Sequence, residues 1–250
     1  MIEATSSPAG HDTALSRNRN YQLLWISQLL SGGGISASVI AFPLLVLALT
    51  GSAAQSGLVL GTIAAAQLVA GLPAGAVVDR WDRRKIMLSC EAIQVVAAAS
   101  LVAALWWGAA HLGHLVVVSA TMGICAALFQ PAESACLPRV VPANQLSTAV
   151  ALNAARSSVG HLSGTAAGGF LFAAARFVPF AADALAHAVA CVLLVFLRVP
   201  PRDAQPDPDR HLGQDIAAGL RWVWGRRHIR VTMGCAVVLN LFFSAFYLVI

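Results

Sequence analysis

Arg156, His161 and His187 stand where ionisable side chains are expensive, because each falls inside a long apolar run; Glu91 lies near the inner end of another run and Asp183 near an outer end. An arginine in hydrocarbon costs at least ~2.5 kcal/mol. Arg156 must therefore face a water-filled cavity or a carboxylate, or snorkel to the inner interface. It is the leading candidate for binding a substrate or coupling its movement to an ion. Histidine changes charge near neutral pH, so His161 and His187 are candidate proton carriers, with hydrogen-bonded packing as the alternative for each.

Other chemistries find little footing. The five cysteines (Cys90, Cys125, Cys136, Cys191, Cys235) all sit in apolar runs, form no C-x-x-C pair and are odd in number, so they read as small apolar filler. No metal site or cofactor is indicated. An intramembrane serine protease needs G-x-S-G on one helix and a histidine on another, but Gly160-His161-Leu162-Ser163-Gly164 has one residue too many. There is no H-E-x-x-H and no histidine cluster. No catalytic residue is assigned, and an enzyme is the weakest reading.

The elements that carry these residues follow from composition. Hydrophobic residues make up 58% of the 250 and charged residues 11%, with a mean hydropathy of +0.73. A soluble domain carries about 25% charged residues to wet its surface, so this exterior must face lipid. The net charge of +5 does not point to nucleic acid, since the basic residues occupy gaps between apolar runs instead of forming a stripe. A bilayer core needs about 20 mostly apolar residues per helix. Seven segments reach or approach that: Tyr21–Leu49, Gln55–Val78, Ile86–Gly108, Leu115–Leu137, Ser147–Ala175, Phe180–Leu197 and Ile229–Ile250. Only helices satisfy the backbone of such runs in lipid. The first twenty residues are polar with no apolar signal core, so the first spanning helix is expected to direct insertion.

Fourteen of the sixteen Lys and Arg residues fall in the N-terminal tail and in the second, fourth and sixth connections. Arg176 alone lies in the opposite connections, and Arg156 lies within a run. Basic connections stay in the cytoplasm, which places the N-terminus there and makes this a multi-pass protein of the cell membrane.

The second connection reads Gly75-Ala-Val-Val-Asp79-Arg80-Trp-Asp82-Arg83-Arg84-Lys85. It resembles the G-x-x-x-D-R-x-G-R-[RK] signature of the major facilitator superfamily, with Gly75, Asp79, Arg80, Arg83 and Arg84 matching. Asp82 stands where glycine is usual, as in the branch of siderophore and macrolide exporters. The resemblance implies that these residues act as a conformational latch. Gly75 is expected to admit a neighbouring helix. Glu133, at the cytoplasmic end of the fourth helix, needs a partner or water, and Arg83 is expected to supply the partner. On the fifth helix, Gly160, Gly164, Gly168 and Gly169 form a small-residue face suited to close packing. This stretch is similar to the superfamily's antiporter signature, with Thr165 where its proline belongs.

The fold class is therefore expected to be all-α and transmembrane. Residues 1–20 form a cytoplasmic tail, 21–198 a six-helix bundle, 199–228 a proline-rich linker with an amphipathic helix over His211–Arg227, and 229–250 the start of a seventh helix. Because Ile250 falls within an apolar run, that helix reads as truncated and a C-terminal half as missing. The resemblance implies a secondary transporter that exports a drug-like or siderophore-like molecule in exchange for protons, with lipid, substrate and protons as partners. The rival is a membrane fragment or scaffold that transports nothing; a chain that truly ended at Ile250 is expected to do no vectorial transport alone.

Overall fold

The computed structural model describes residues 15–200, 221–235 and 238–239. The chain divides into two compact units, Met1–Asp203 and Ala204–Ile250. Among the described residues the first holds six α-helices: α1 (Arg19–Thr50), α2 (Ala53–Arg80), α3 (Arg83–Trp106), α4 (Leu112–Val140), α5 (Leu146–Ala174) and α6 (Val178–Val195). No strand occurs among the described residues.

The helix ends fall within three residues of the apolar segments, and the small excess has a cause. Capping residues are polar, so α1, α2 and α3 begin before the apolar stretch, next to them. Asn18 accepts a bond from the Tyr21 N–H, Ser52 from Gln55, and Asp82 from both Arg84 and Lys85. Gly51, at φ +68°, closes α1 by donating its N–H to the Leu47 carbonyl, a left-handed position that glycine fills without a Cβ clash.

Five of the helices, α1, α2, α3, α4 and α6, are each long and apolar enough to cross a bilayer. The fifth is long, about 43 Å at 1.5 Å per residue, but Asn153, Arg156, Ser157, Ser158, His161 and Ser163 dilute its apolar character. It packs chiefly on α1, whereas α1 also contacts α6 and α2, α2 lies along α4, and α3 bridges α4 and α6.

The bundle has the polarity of a membrane protein. Leu68 is 72% exposed and Phe170 80% exposed, while Glu91, Ser27, Ser119 and His187 are buried. Two apolar clusters cap the interior. Tyr21, Leu24, Ile86, Met87, Phe129, Leu194 and Leu197 pack at one end; Phe42, Leu45, Leu101, Leu115 and Phe180 pack at the other. Along α1, α3 and α6 the buried polar residues fall between these clusters: Ser27 and Ser31, then Glu91 and Gln94, then Asp183 and His187. The result is a polar belt at mid-height.

In the second unit, 221–225 and 227–235 are helical. The Arg226 guanidinium lies 4.1 Å from the centre of the Trp222 ring, a cation–π contact. The linker and amphipathic helix expected over 199–228, and the seventh helix expected over 229–250, lie partly outside the described residues.

Candidate functional site

A cavity of about 510 Å³ opens within the belt. Its wall on α1 is a stripe of Gln28, Ser31, Gly32, Ile35 and Ser36, whose three- and four-residue spacing keeps them on one helix face. Gln67 comes from α2, Glu91 and Gln94 from α3, and Ala126, Phe129, Gln130 and Glu133 from α4. Arg156, Ser157, Gly160 and His161 complete it from α5. A second hollow of about 640 Å³, between α2, α3 and α4, is lined mostly by apolar side chains such as Val77, Ile93, Ile124 and Leu128. The polar cavity is the one that concentrates buried charge.

The Arg156 Nη2 lies 2.9 Å from Glu133 Oε1, with the two side chains 9% and 13% exposed. This corrects the pairing expected between Arg83 and Glu133. On α4, Glu133 shares its face with Ala126, Phe129 and Gln130, all turned into the cavity. Arg83 instead donates a 2.8 Å bond to the Ala135 carbonyl, in the turn of α4 that Pro138 disrupts. Arg156 keeps capacity in reserve: its Nε and Nη1 are buried with no hydrogen-bond partner among the described residues. Unsatisfied guanidinium donors in a cavity invite a ligand's acceptors. His161 also faces this space, its Nδ1 3.5 Å from Ser36 Oγ.

His187 lies elsewhere, on the α3–α6 side of the belt. Its Nδ1 is 2.5 Å from Glu91 Oε2, and its Nε2 is 3.4 Å from Asp183 Oδ1. Glu91 reaches back toward the cavity, accepting a 3.4 Å bond from the Gln28 amide through Oε1. The sequence marks Glu91, Asp183 and His187 singly. The i, i+4 spacing of Asp183 and His187 was a legible sign that they share a face; the approach of Glu91 was not, because it depends on α3 packing on α6.

The turn between α2 and α3 ties helices together. Arg84 donates to the Leu194 carbonyl through Nε at 3.1 Å and to the Val195 carbonyl through Nη2, adding to the Leu197 N–H that already bonds Leu194 at the end of α6. Asp82, in the place of the signature's glycine, is the N-cap of α3. Asp79 and Arg80 occupy the last turn of α2. Gly75 departs from expectation, since nothing lies within 4 Å of where its Cβ would stand.

The glycine face of α5 is only partly used. A Cβ on Gly164 would collide with the Gly33 carbonyl oxygen and stand 2.6 Å from Ser36 Cβ; one on Gly168 would stand 2.7 Å from the Ala37 carbonyl oxygen. Gly160 makes only ordinary contact, at 3.8 Å, and Gly169 meets nothing within 4 Å. Gly164 and Gly168 are therefore the positions that let α5 lie against α1.

Together these features define a polytopic α-helical membrane protein whose helices enclose a charged cavity. The chain matches the family profile described as Major Facilitator Superfamily over residues 24–250, and it belongs to that family of transporters. It is 29% identical over 237 residues to the multidrug efflux pump Tap of Mycobacterium tuberculosis (strain ATCC 25618 / H37Rv), covering 90% of this chain and 55% of that protein. The Tap pump of Mycolicibacterium fortuitum is 28% identical over 214 residues, covering 81% of this chain and 51% of its own length. The chain thus spans about half the length of the curated relatives it matches.

Proposed function

We propose that this chain supplies the N-terminal half of a secondary transporter that exports small drug-like molecules from the cell in exchange for protons. In this reading the N-terminus is cytoplasmic, and a second six-helix half supplies the opposite wall of the cavity. Substrate binds between the halves, and rocking of one against the other exposes it to alternate sides. The observation that carries the reading is the cavity of about 510 Å³ holding the Arg156–Glu133 pair, with two guanidinium nitrogens that have no hydrogen-bond partner among the described residues. The likeness to multidrug efflux pumps favours drug-like cargo.

Arg156 is the substrate-contacting residue, and His161 beside it completes the polar wall. The Asp79–Arg84 turn acts as the latch: Arg83 reaches α4 and Arg84 reaches α6, so movement of α2 against α3 is felt by two further helices. Gly164 and Gly168 let α5 slide closely on α1.

The test is efflux of a panel of dyes and siderophores from cells carrying the complete gene, with and without a proton gradient. Efflux that collapses with the gradient and is abolished by Arg156→Ala supports the reading. Efflux indifferent to both would overturn it.

A further inference from the structure

Glu91, His187 and Asp183 form the most deeply buried ionisable group among the described residues, with side chains 1%, 1% and 4% exposed. Ion pairing with Arg156 does not involve them. Nothing about drug binding requires a histidine clamped between two acids behind the cavity wall. Such an arrangement is costly in a membrane interior unless its charges balance.

Counting protons shows what the geometry demands. Both ring nitrogens face carboxylate oxygens. The 2.5 Å approach of Nδ1 to Glu91 Oε2 needs a proton between them; with that proton alone the group carries a net charge of −2. A second proton, on the ring or on either acid, brings it to −1, and a third to neutrality. Among the described residues its surroundings offer no fixed cation to do so instead. From α1 comes the neutral Gln28; α3 adds Cys90 and Gln94, α4 adds Cys125, and α6 adds Cys191. Across the cavity stand His161 and Arg156, the latter already opposed by Glu133.

The group also has one door. Apolar clusters close the belt toward both ends of the bundle, and Gly34 packs so closely on Asp183 that a Cβ there would lie 2.6 Å from Oδ1. Glu91 alone of the three lines the large cavity, while Asp183 borders only a hollow of about 10 Å³ among Phe42, Gln94 and Phe180. Beside it, Gln94 Oε1 is buried with no partner among the described residues, and the Gln28 amide can turn either its N–H or its carbonyl to the carboxyl. His187 Nε2 and Asp183 Oδ1 lie within ion-pair range of each other but are not aligned for a hydrogen bond, so the inner end of the group has room to rearrange.

We infer that Glu91, His187 and Asp183 form a single proton-binding site, loaded and emptied through Glu91 from the central cavity. On loading, a hydronium ion in the cavity gives its proton to Glu91 Oε1: an O–H bond forms on the carboxyl, one breaks in the hydronium, and water remains. The imidazole then shares the change with Asp183, on the far side of the ring. This is where the exchange proposed above would hold its proton, and in that use it rests on the exporter reading; the binding itself does not.

The experiment is infrared difference spectroscopy of the purified full-length protein in lipid, titrated between about pH 5 and 9, the range in which a group built around histidine can change state. The signal is the C=O stretch of a protonated, buried carboxyl. The wild type is expected to gain this band on acidification. Glu91→Gln or Asp183→Asn should remove it, and His187→Asn should move its midpoint by at least about tenfold in proton concentration. The inference is overturned if no such band titrates in the wild type, a result that needs no variant to fold. It is equally overturned if the band survives unchanged in both carboxyl variants, or keeps its midpoint without His187. Should the band titrate as expected while dye efflux ignores the proton gradient, the site stands and the exchange reading fails.

Discussion

Replacing Gly164 with alanine adds one methyl group where the fold leaves no room for it. The new Cβ would collide with the Gly33 carbonyl oxygen and stand 2.6 Å from Ser36 Cβ. A main-chain oxygen inside α1 cannot swing aside as a flexible side chain would, so α5 must move away from α1. Overpacking of this kind costs about 1–3 kcal/mol, and alanine returns about 0.5–1 kcal/mol by removing the entropy cost of glycine in a helix. The net loss for Gly164→Ala is about 0.5–2 kcal/mol. Gly169 supplies the control. It lies five residues on in the same helix, and its Cβ would meet nothing within 4 Å. Gly169→Ala should therefore gain about 0.5–1 kcal/mol. The propensity effect cancels between the two variants, leaving a gap of about 1–3 kcal/mol that belongs to packing alone. Equilibrium unfolding by SDS in mixed micelles, followed by circular dichroism, measures it. Equal stability of the two variants would refute the claim that Gly164 seats α5 on α1.

Further outcomes follow from single contacts. In a double-mutant cycle, Arg156 and Glu133 should couple by more than about 1 kcal/mol, and reversing both charges together should recover expression that either single reversal loses. The equivalent swap of Arg83 with Glu133 should rescue nothing, since Arg83 bonds a carbonyl on α4. Arg84→Ala should cost about 0.5–1.5 kcal/mol by removing its bonds to the Leu194 and Val195 carbonyls, and hydrogen exchange should quicken at the end of α6 nearest them. Asp82→Ala should cost about 1 kcal/mol, but Asp82→Gly only a few tenths, because glycine is itself a tolerated N-cap; thermal unfolding in detergent separates the two.

That last contrast explains part of what the sequence could disclose. At position 82 the usual glycine of the signature and the aspartate found here solve the same local problem, starting a helix after a tight turn, so the departure leaves the pattern legible. Local patterns were readable throughout. The apolar runs of α1 to α4 and α6 foretold those helices because lipid admits few other structures, and the glycines spaced by four marked α5 as a packing face. Partnerships between helices were not readable. Arg83 and Glu133 lie fifty residues apart, both beside one end of the bundle, and charge alone made them look matched; only the rotation of α4 about its axis decides that Glu133 turns to Arg156. The same blindness hid the company kept by His187. Its i−4 neighbour Asp183 was within reach of spacing arguments, but Glu91 comes from another helix, at a register set by how α3 packs on α6.

The weak hydropathy of α5 is best understood from the two faces it must show. One carries Gly164 and Gly168 and is fitted to α1; another carries Arg156, Ser157 and His161 and faces the cavity. Between them they use up the positions an ordinary spanning helix would fill with leucine, and α5 alone among the six fails to be apolar enough to cross on its own account. Its membrane position must then be held by what it touches. Among the described helices that is chiefly α1, with Glu133 of α4 offsetting the charge of Arg156. A helix held chiefly by one close neighbour and one ion pair depends on those two contacts for its place in the bundle. It also carries the unsatisfied donors of the cavity, so displacement of α5 along its glycine seam would change the site and the packing together.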